Sequence, residues 1–346
     1  MNRPPRVSVA IPLFNEESVL PELYQRVMGV LDDLPGGPHQ VVFVDDGSGD
    51  GTAELLEAYA LIDPRVFVIR LSRNFGHQAA LSAALDHVSG DVVICMDGDL
   101  QDTPESIPRF LEAFGAGADV VYAVRQQRKE NWLMRFFYGG FYRVITALAD
   151  IPLPTDAGDF GLMSRRVVDV VRASGERHRY LRGLRTWAGF RQVGVPVERV
   201  ARHAGRSKYS LRKLLKLAFD GIFAFSVMPL RFATMIGGFA IVASFLFAGY
   251  SLFAKLVLDQ SPTGFTALYV SMTFLAGVQL LFLGVIGEYV GRTYEEVKQR
   301  PLYVVDRLLH VEAARGTALH VGETTPVRDR SRVLHDERPL VASNHE

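Results

Sequence analysis

The stretch VVICMDGDLQDTPES, residues 92–106, opens as a buried strand and closes on four carboxylates, Asp97, Asp99, Asp102 and Glu105. Two carboxylates as close as Asp97 and Asp99 repel unless a cation or a proton comes between them, and hard oxygen ligands of this kind suit Mg²⁺ or Mn²⁺. Magnesium takes one or two protein carboxylates and completes its shell with water and phosphate oxygens. Gln101 can add a carbonyl oxygen, while Asp102 reads as the cap of a helix beginning at Pro104. A second acidic strand end lies in FVDDGSGDGTAE. Its glycines 47, 49 and 51 suggest a dinucleotide fingerprint, but Thr52 occupies the place of the third glycine. Asp45 and Asp46 at that strand end would oppose a bare pyrophosphate, so Asp46 is better suited to hydrogen-bonding a ribose or base. Ser48 and Asp50 suit a turn and helix cap. Asp156 and Asp159, in DAGD before FGLMS, are candidates for a base, for orienting an acceptor, or for a plain turn. His77, opening HQAALSAAL, reads as a helix-start residue.

The elements that must position these groups alternate. VSVAIPL, QVVFVDD, VFVIRLS, VVICMD and DVVYAV are continuous apolar runs of the kind buried on both faces of a sheet. Helical patterns such as EESVLPELYQRVMGVLDDL and HQAALSAALDHV lie between them. Strand and helix in alternation predict an α/β domain with a mostly parallel, Rossmann-like sheet, in which ligands bind beyond the carboxyl ends of the strands. Cys95 sits inside VVICM and reads as a small buried hydrophobe, and as the single cysteine it excludes an intramolecular disulfide.

Farther along, residues 130–149, containing NWLMRFFYGGFYRVITAL, and 211–229, LRKLLKLAFDGIFAFSVMP, set aromatic and aliphatic positions at helical spacing beside arginines and lysines. Taken alone, either pattern suits a core-facing helix at least as well as an amphipathic helix at a membrane surface, and it is the segments that follow that favour the surface. From Phe232 to Ala254 and from Gln260 to Gly287 there is no charged side chain. A helix needs ~20 apolar residues to cross the ~30 Å hydrocarbon layer, so two transmembrane helices are expected at about 232–256 and 265–288, within a 230–291 hairpin. Arg212, Lys213, Lys216 and Arg231 precede the first span, and Arg292, Lys298, Arg300 and Arg307 come after the second. That bias puts both ends of the hairpin, and with them the α/β domain and both termini, on the cytoplasmic side. The domain is expected over 1–210 and a C-terminal segment over 292–346, with a mobile tail after about 306. Lysine plus arginine equals aspartate plus glutamate, 38 of each, and this balance gives no argument for a nucleic-acid partner.

Six segments together resemble one family: AIPLFNEE (10–17), VDDGSGDGT (44–52), MDGDLQDTPE (96–105), DAGDFGLMSRR (156–166), RHAGRSKYS (202–210) and GVIGEYVGRTYEEVKQRPLY (284–303). They are similar to the polyisoprenyl-phosphate glycosyltransferases, inverting family 2 enzymes of the GT-A fold that include dolichol-phosphate mannose synthases and bacterial GtrB-type glucosyltransferases. The resemblance covers about residues 6–306, and on it the α/β domain is expected to be catalytic and the membrane a bacterial inner membrane. It implies that Pro12, Phe14, Asn15, Glu16, Asp46, Asp97 and Gly98 bind the donor nucleotide, and that Asp99 and Gln101 hold Mg²⁺ or Mn²⁺. It further implies that Arg125, Arg128, Arg202, Ser207 and Lys208 bind phosphates and acceptor, with Asp159 or Asp156 as the acceptor-side carboxylate. Phe14 stands where tyrosine is frequent, and Gly98 where alanine is common.

The implied partners are a nucleotide sugar, UDP-linked in preference to GDP-mannose, a polyprenyl phosphate such as undecaprenyl phosphate, and the membrane, with room for a homo-oligomer. Two other readings share the nucleotide half. A processive polysaccharide synthase would carry a Q-x-x-R-W motif, which this chain lacks. A catalytically idle membrane scaffold would have no need to keep nucleotide, metal and basic positions together.

Overall fold

The computed structural model describes residues 3–125, 157–177, 179–197, 228–257 and 264–310. The five apolar runs form strands β1 (Val7–Leu13), β2 (Gln40–Asp45), β3 (Val66–Leu71), β4 (Val92–Cys95) and β5 (Val120–Arg125). Three further strands join them: β6 (Ala157–Ser164), β7 (Gln192–Val197) and β8 (Val305–Leu309). The sheet order is β7-β5-β6-β4-β1-β2-β3-β8. Its centre, β4-β1-β2-β3, runs parallel throughout, as does the β5–β7 pair. β6 is antiparallel to both β4 and β5, and β8 is antiparallel to β3.

Among the described residues six helices cover the sheet: α1 (Leu20–Asp33), α2 (Thr52–Ile62), α3 (His77–His87), α4 (Ile107–Gly115), α5 (Arg165–Ala173) and α6 (Leu181–Trp187). Side chains alternate across a strand, so each central strand feeds two cores. Val7, Val9, Ile11, Val41, Phe43 and Ile94 pack with Leu23, Val27 and Leu31 of α1, Leu56 of α2 and Phe110 of α4. Ala10, Val42, Val44, Val93 and Cys95 pack on the other face with Leu81 and Leu85 of α3, Val168 and Val171 of α5, and Leu184 of α6. Both faces are therefore closed, which is why these runs are apolar without interruption. Burial pushes the Cys95 thiol up to about 12, so it is inert as a nucleophile.

Two long helices come next, α7 (Met228–Val257) and α8 (Phe265–Val297). At 1.5 Å per residue they measure ~45 and ~50 Å, ample for a bilayer. Each carries a stretch long and apolar enough to cross one, Leu230–Phe247 and Phe274–Val297, with none of it buried against protein. Phe239, Phe245, Leu246, Met272, Phe274 and Leu281 all stand exposed. Both helices outrun the expected bounds. The expected surface helix at 130–149 lies outside the described residues, as does that at 211–229 apart from Met228 and Pro229, which open α7.

One expectation is corrected. Residues 306–309, read as the start of a mobile tail, belong to β8, which extends the sheet beyond β3, so the domain does not end at 210. The segment leading to β8 is tied down. Tyr303 Oη donates to Asp86 Oδ2 at 2.7 Å, Ser72 N–H to Val304 O at 2.9 Å, and the Arg177 guanidinium to Arg300 O at 2.7 Å. VDRLL carries little strand signal because an edge strand exposed on one face needs few apolar residues.

Candidate active site

The β1 exit sets the first wall. Asn15 is left-handed at φ 56°; its N–H donates to Ser48 Oγ (3.0 Å) and its Oδ1 accepts from Gly49 N–H (2.8 Å). Glu16 N–H donates to Thr52 Oγ1, and Glu17 Oε2 accepts from Gly51 N–H. The loops after β1 and β2 are thus laced into one surface. The expected caps are used differently: the cap residue of α2 is Gly51, Ser48 takes the Asn15 N–H, and Asp50 Oδ1 accepts from Thr52 N–H at 3.1 Å. Pro12 is buried in β1, whereas Phe14 stands 46% exposed at the rim.

At the β2 exit, Asp46 is buried, and its two oxygens accept from Phe75 N–H (2.7 Å) and Gly76 N–H (2.9 Å). Burial raises its pKa above the ordinary carboxylate value, with those two N–H groups working against the rise. The residue read as a ribose or base ligand therefore braces the loop between β3 and α3. Gly47 lets that loop come close: it sits at φ +70°, and a Cβ there would lie 2.6 Å from the Arg73 carbonyl carbon.

The β4 exit carries Asp97, Gly98, Asp99 and Gln101. Asp99 Oδ1 accepts from Gln101 N–H at 3.2 Å. Asp102, expected to cap the helix at Pro104, directs Oδ2 to Asp97 N–H at 3.2 Å, and Thr103 is the cap residue. Gly98 is explained by packing, since a Cβ there would meet Leu13 Cδ2 at 2.3 Å. Among the described residues, no three His, Cys, Asp or Glu side chains converge as an all-protein metal cage. One or two carboxylates at an open strand end are nevertheless the donor set that Mg²⁺ or Mn²⁺ shares with phosphate oxygens, so the residues fit such an ion.

Asp159, in β6, faces this exit. Arg182 of α6 reaches its Oδ1 with Nη2 at 3.2 Å, and His77, the first residue of α3, holds Nε2 at 3.7 Å from its Oδ2. The same Nε2 lies 3.5 Å from Asp97 Oδ1. Burial alone would raise the Asp159 pKa; His77, Arg182 and Arg185 outweigh it and hold the carboxyl well below its usual range. For His77, burial works against charge, but Asp159, Asp97 and Asp46 prevail and raise the pKa above 6.5. Arg185 is 4% exposed, stacks 5.4 Å over the Tyr122 ring, and its Nε and Nη2 find no hydrogen-bond partner among the described residues.

Strands β2, β1, β4 and β6 are neighbours in that order, so the acidic exits form one continuous rim. Arg125 ends β5; Arg128, Asp156, Arg202, Ser207 and Lys208 lie outside the described residues. Sequence reasoning gives His77 only a helix-start role and passes over Arg182 and Arg185. The available signal is RYLRGLRTW, where two arginines three apart share a face of an otherwise apolar turn.

The family described as Glycosyl transferase family 2 matches residues 8–172. The uncharacterized glycosyltransferase YkcC of Bacillus subtilis is 43% identical over 316 residues, covering 91% of this chain and 98% of its own. The SfII prophage-derived bactoprenol glucosyl transferase of Shigella flexneri is 41% identical over 303 residues, covering 87% and 98%. A solved mannosyltransferase of Pyrobaculum calidifontis, in complex with GDP-Man and Mn²⁺, is 18% identical with a TM-score of 0.44, covering 86% of this chain and 88% of its own. The chain belongs to glycosyl transferase family 2, and it is a glycosyltransferase with a GT-A domain.

Proposed function

We propose that the protein transfers a sugar, with inversion, from a nucleotide sugar to a polyprenyl phosphate at the cytoplasmic face of the membrane, and that the donor is a UDP-sugar. The observation that carries the reading is the acidic rim itself. Asp97 and Asp99 leave β4 opposite Asp159 of β6, with cations between and behind them, in a chain that also has two bilayer-length apolar helices. Relatives named bactoprenol glucosyl transferases support the lipid acceptor.

In this mechanism an oxygen of the lipid phosphate attacks the anomeric carbon as the bond from that carbon to the nucleoside diphosphate breaks. The second pKa of a phosphomonoester is ~6, so near pH 7 the nucleophile is already a dianion and no proton has to leave it. Asp159, held ionised by Arg182 and His77, is therefore a poor base and orients rather than deprotonates. Pro12, Phe14 and Glu16 line the nucleoside side. Asn15 and Asp46 act through the loops they brace. Asp99, with Gln101, would hold Mg²⁺ or Mn²⁺, which when bound would supply positive charge for the departing diphosphate. Arg125, Arg128, Arg202, Ser207 and Lys208 offset the repulsion of two phosphate-bearing reactants.

The test is mass spectrometry of lipid products from purified protein given undecaprenyl phosphate and a panel of UDP- and GDP-sugars. A monoglycosylated lipid phosphate from a UDP-sugar is expected. Sugar polymer without a lipid product, or donor hydrolysis indifferent to lipid phosphate, would overturn the reading.

A further inference from the structure

Asp97, just beyond β4, and Asp159, in β6, converge on one nitrogen, Nε2 of His77, at 3.5 and 3.7 Å. Nothing in the packing of α3 calls for an imidazole there. The helix buries Ala80, Leu81, Ala83, Ala84 and Leu85, while the His77 side chain remains 43% exposed. A cation at the first turn also opposes the helix dipole, so the position is explained by what the ring faces rather than by the helix. The next residue reinforces the point. Gln78 Oε1 accepts from Leu181 N–H at 3.0 Å, pinning the start of α6, and Arg182 comes immediately after to reach Asp159. The first turn of α3 thereby sets the two cations that contact Asp159.

We propose that His77 is a positioning residue for sugar transfer: its ring ties Asp97, on the donor side, to Asp159, on the acceptor side, and fixes the gap across which the sugar moves. This inference rests on the transferase reading above. Without the ring, two carboxylates of like charge face each other across that gap and separate. The surfaces that recognise the nucleoside, built from the β1 and β2 loops, stay as they are. The loss therefore falls on turnover rather than on donor binding.

The experiment measures kcat and both KM values for the parent, His77→Ala, His77→Gln, Asp159→Asn and the double variant His77→Ala/Asp159→Asn, together with unfolding midpoints. His77→Ala should lower kcat about 10- to 100-fold, the scale of a 1 Å misplacement, with donor KM within about twofold and the midpoint unchanged. His77→Gln, whose amide N–H reaches the place of Nε2, should recover most of that loss. The double variant should be no slower than the slower single variant, because the two residues act through one contact. A His77→Ala enzyme with parental kcat, a loss confined to donor KM, no recovery with Gln, or losses that multiply in the double variant would each overturn the inference. A parent that transfers no sugar to lipid phosphate would instead overturn the functional reading beneath it.

Discussion

Asp159 keeps its charge because His77 and Arg182 contact it from different helices, with Arg185 behind them, and this has consequences that pH can reveal. Folding lowers its pKa from 3.8, so the stabilisation it contributes is complete above that value and is lost only as pH falls through the lower folded one. Across the neutral range it does not titrate. The rise of transfer rate with pH should therefore follow the lipid phosphate, near ~6, in the parent and in Asp159→Asn alike. The variant should lose less than the ~10²- to 10⁴-fold typical of removing a general base. A rising limb present only in the parent would restore Asp159 as a base. For Asp99→Asn, turnover should be lost while the unfolding midpoint holds, and excess chelator should silence the parent equally. Full activity in chelator would remove the metal from the reading. Gly98 makes a packing prediction. Gly98→Ala should cost about 1–3 kcal/mol by driving a methyl into Leu13, and Leu13→Val should relieve part of it, giving a non-additive double variant in denaturant unfolding.

The laced loops after β1 and β2 act as one element, and Asn15 is their strut. Asn15→Ala should destabilise by roughly 1 kcal/mol and raise donor KM. Asn15→Asp, which keeps the acceptor for Gly49, should preserve more of both; equal losses in the two variants would show that the lacing does not shape the donor site. Strands β1 to β5 are legible because burial on both faces demands unbroken β-branched and aromatic runs. β7 is not, since QVGVPV is interrupted by Gly194 and Pro196, which only an edge strand tolerates. The same logic governs the site. Asp97 and Asp99 are neighbours in sequence and stand out together. His77 meets Asp159 only because β6 inserts antiparallel beside β4, a pairing with no local sequence signature.

For the whole molecule, the expected topology gives a labelling test. With Cys95 buried and its thiol pushed up to about 12, the parent should resist an impermeant maleimide. Asp259→Cys, between the two long helices, should react from outside intact cells. Protection of that position, with reaction only after lysis, would reverse the orientation. The return of β8 to the sheet also imposes an order on synthesis. The β3 edge, VFVIRL, is made early, but its partner emerges only after both α7 and α8. At 5–20 residues per second the ribosome needs about 10 to 50 s to travel from β3 to β8. Through that interval the nascent sheet presents an apolar, unpaired margin of the kind that recruits other chains. The last strand to leave the ribosome is thus also the one that closes this margin, and a chain stalled before its second long helix is inserted should be left prone to aggregation.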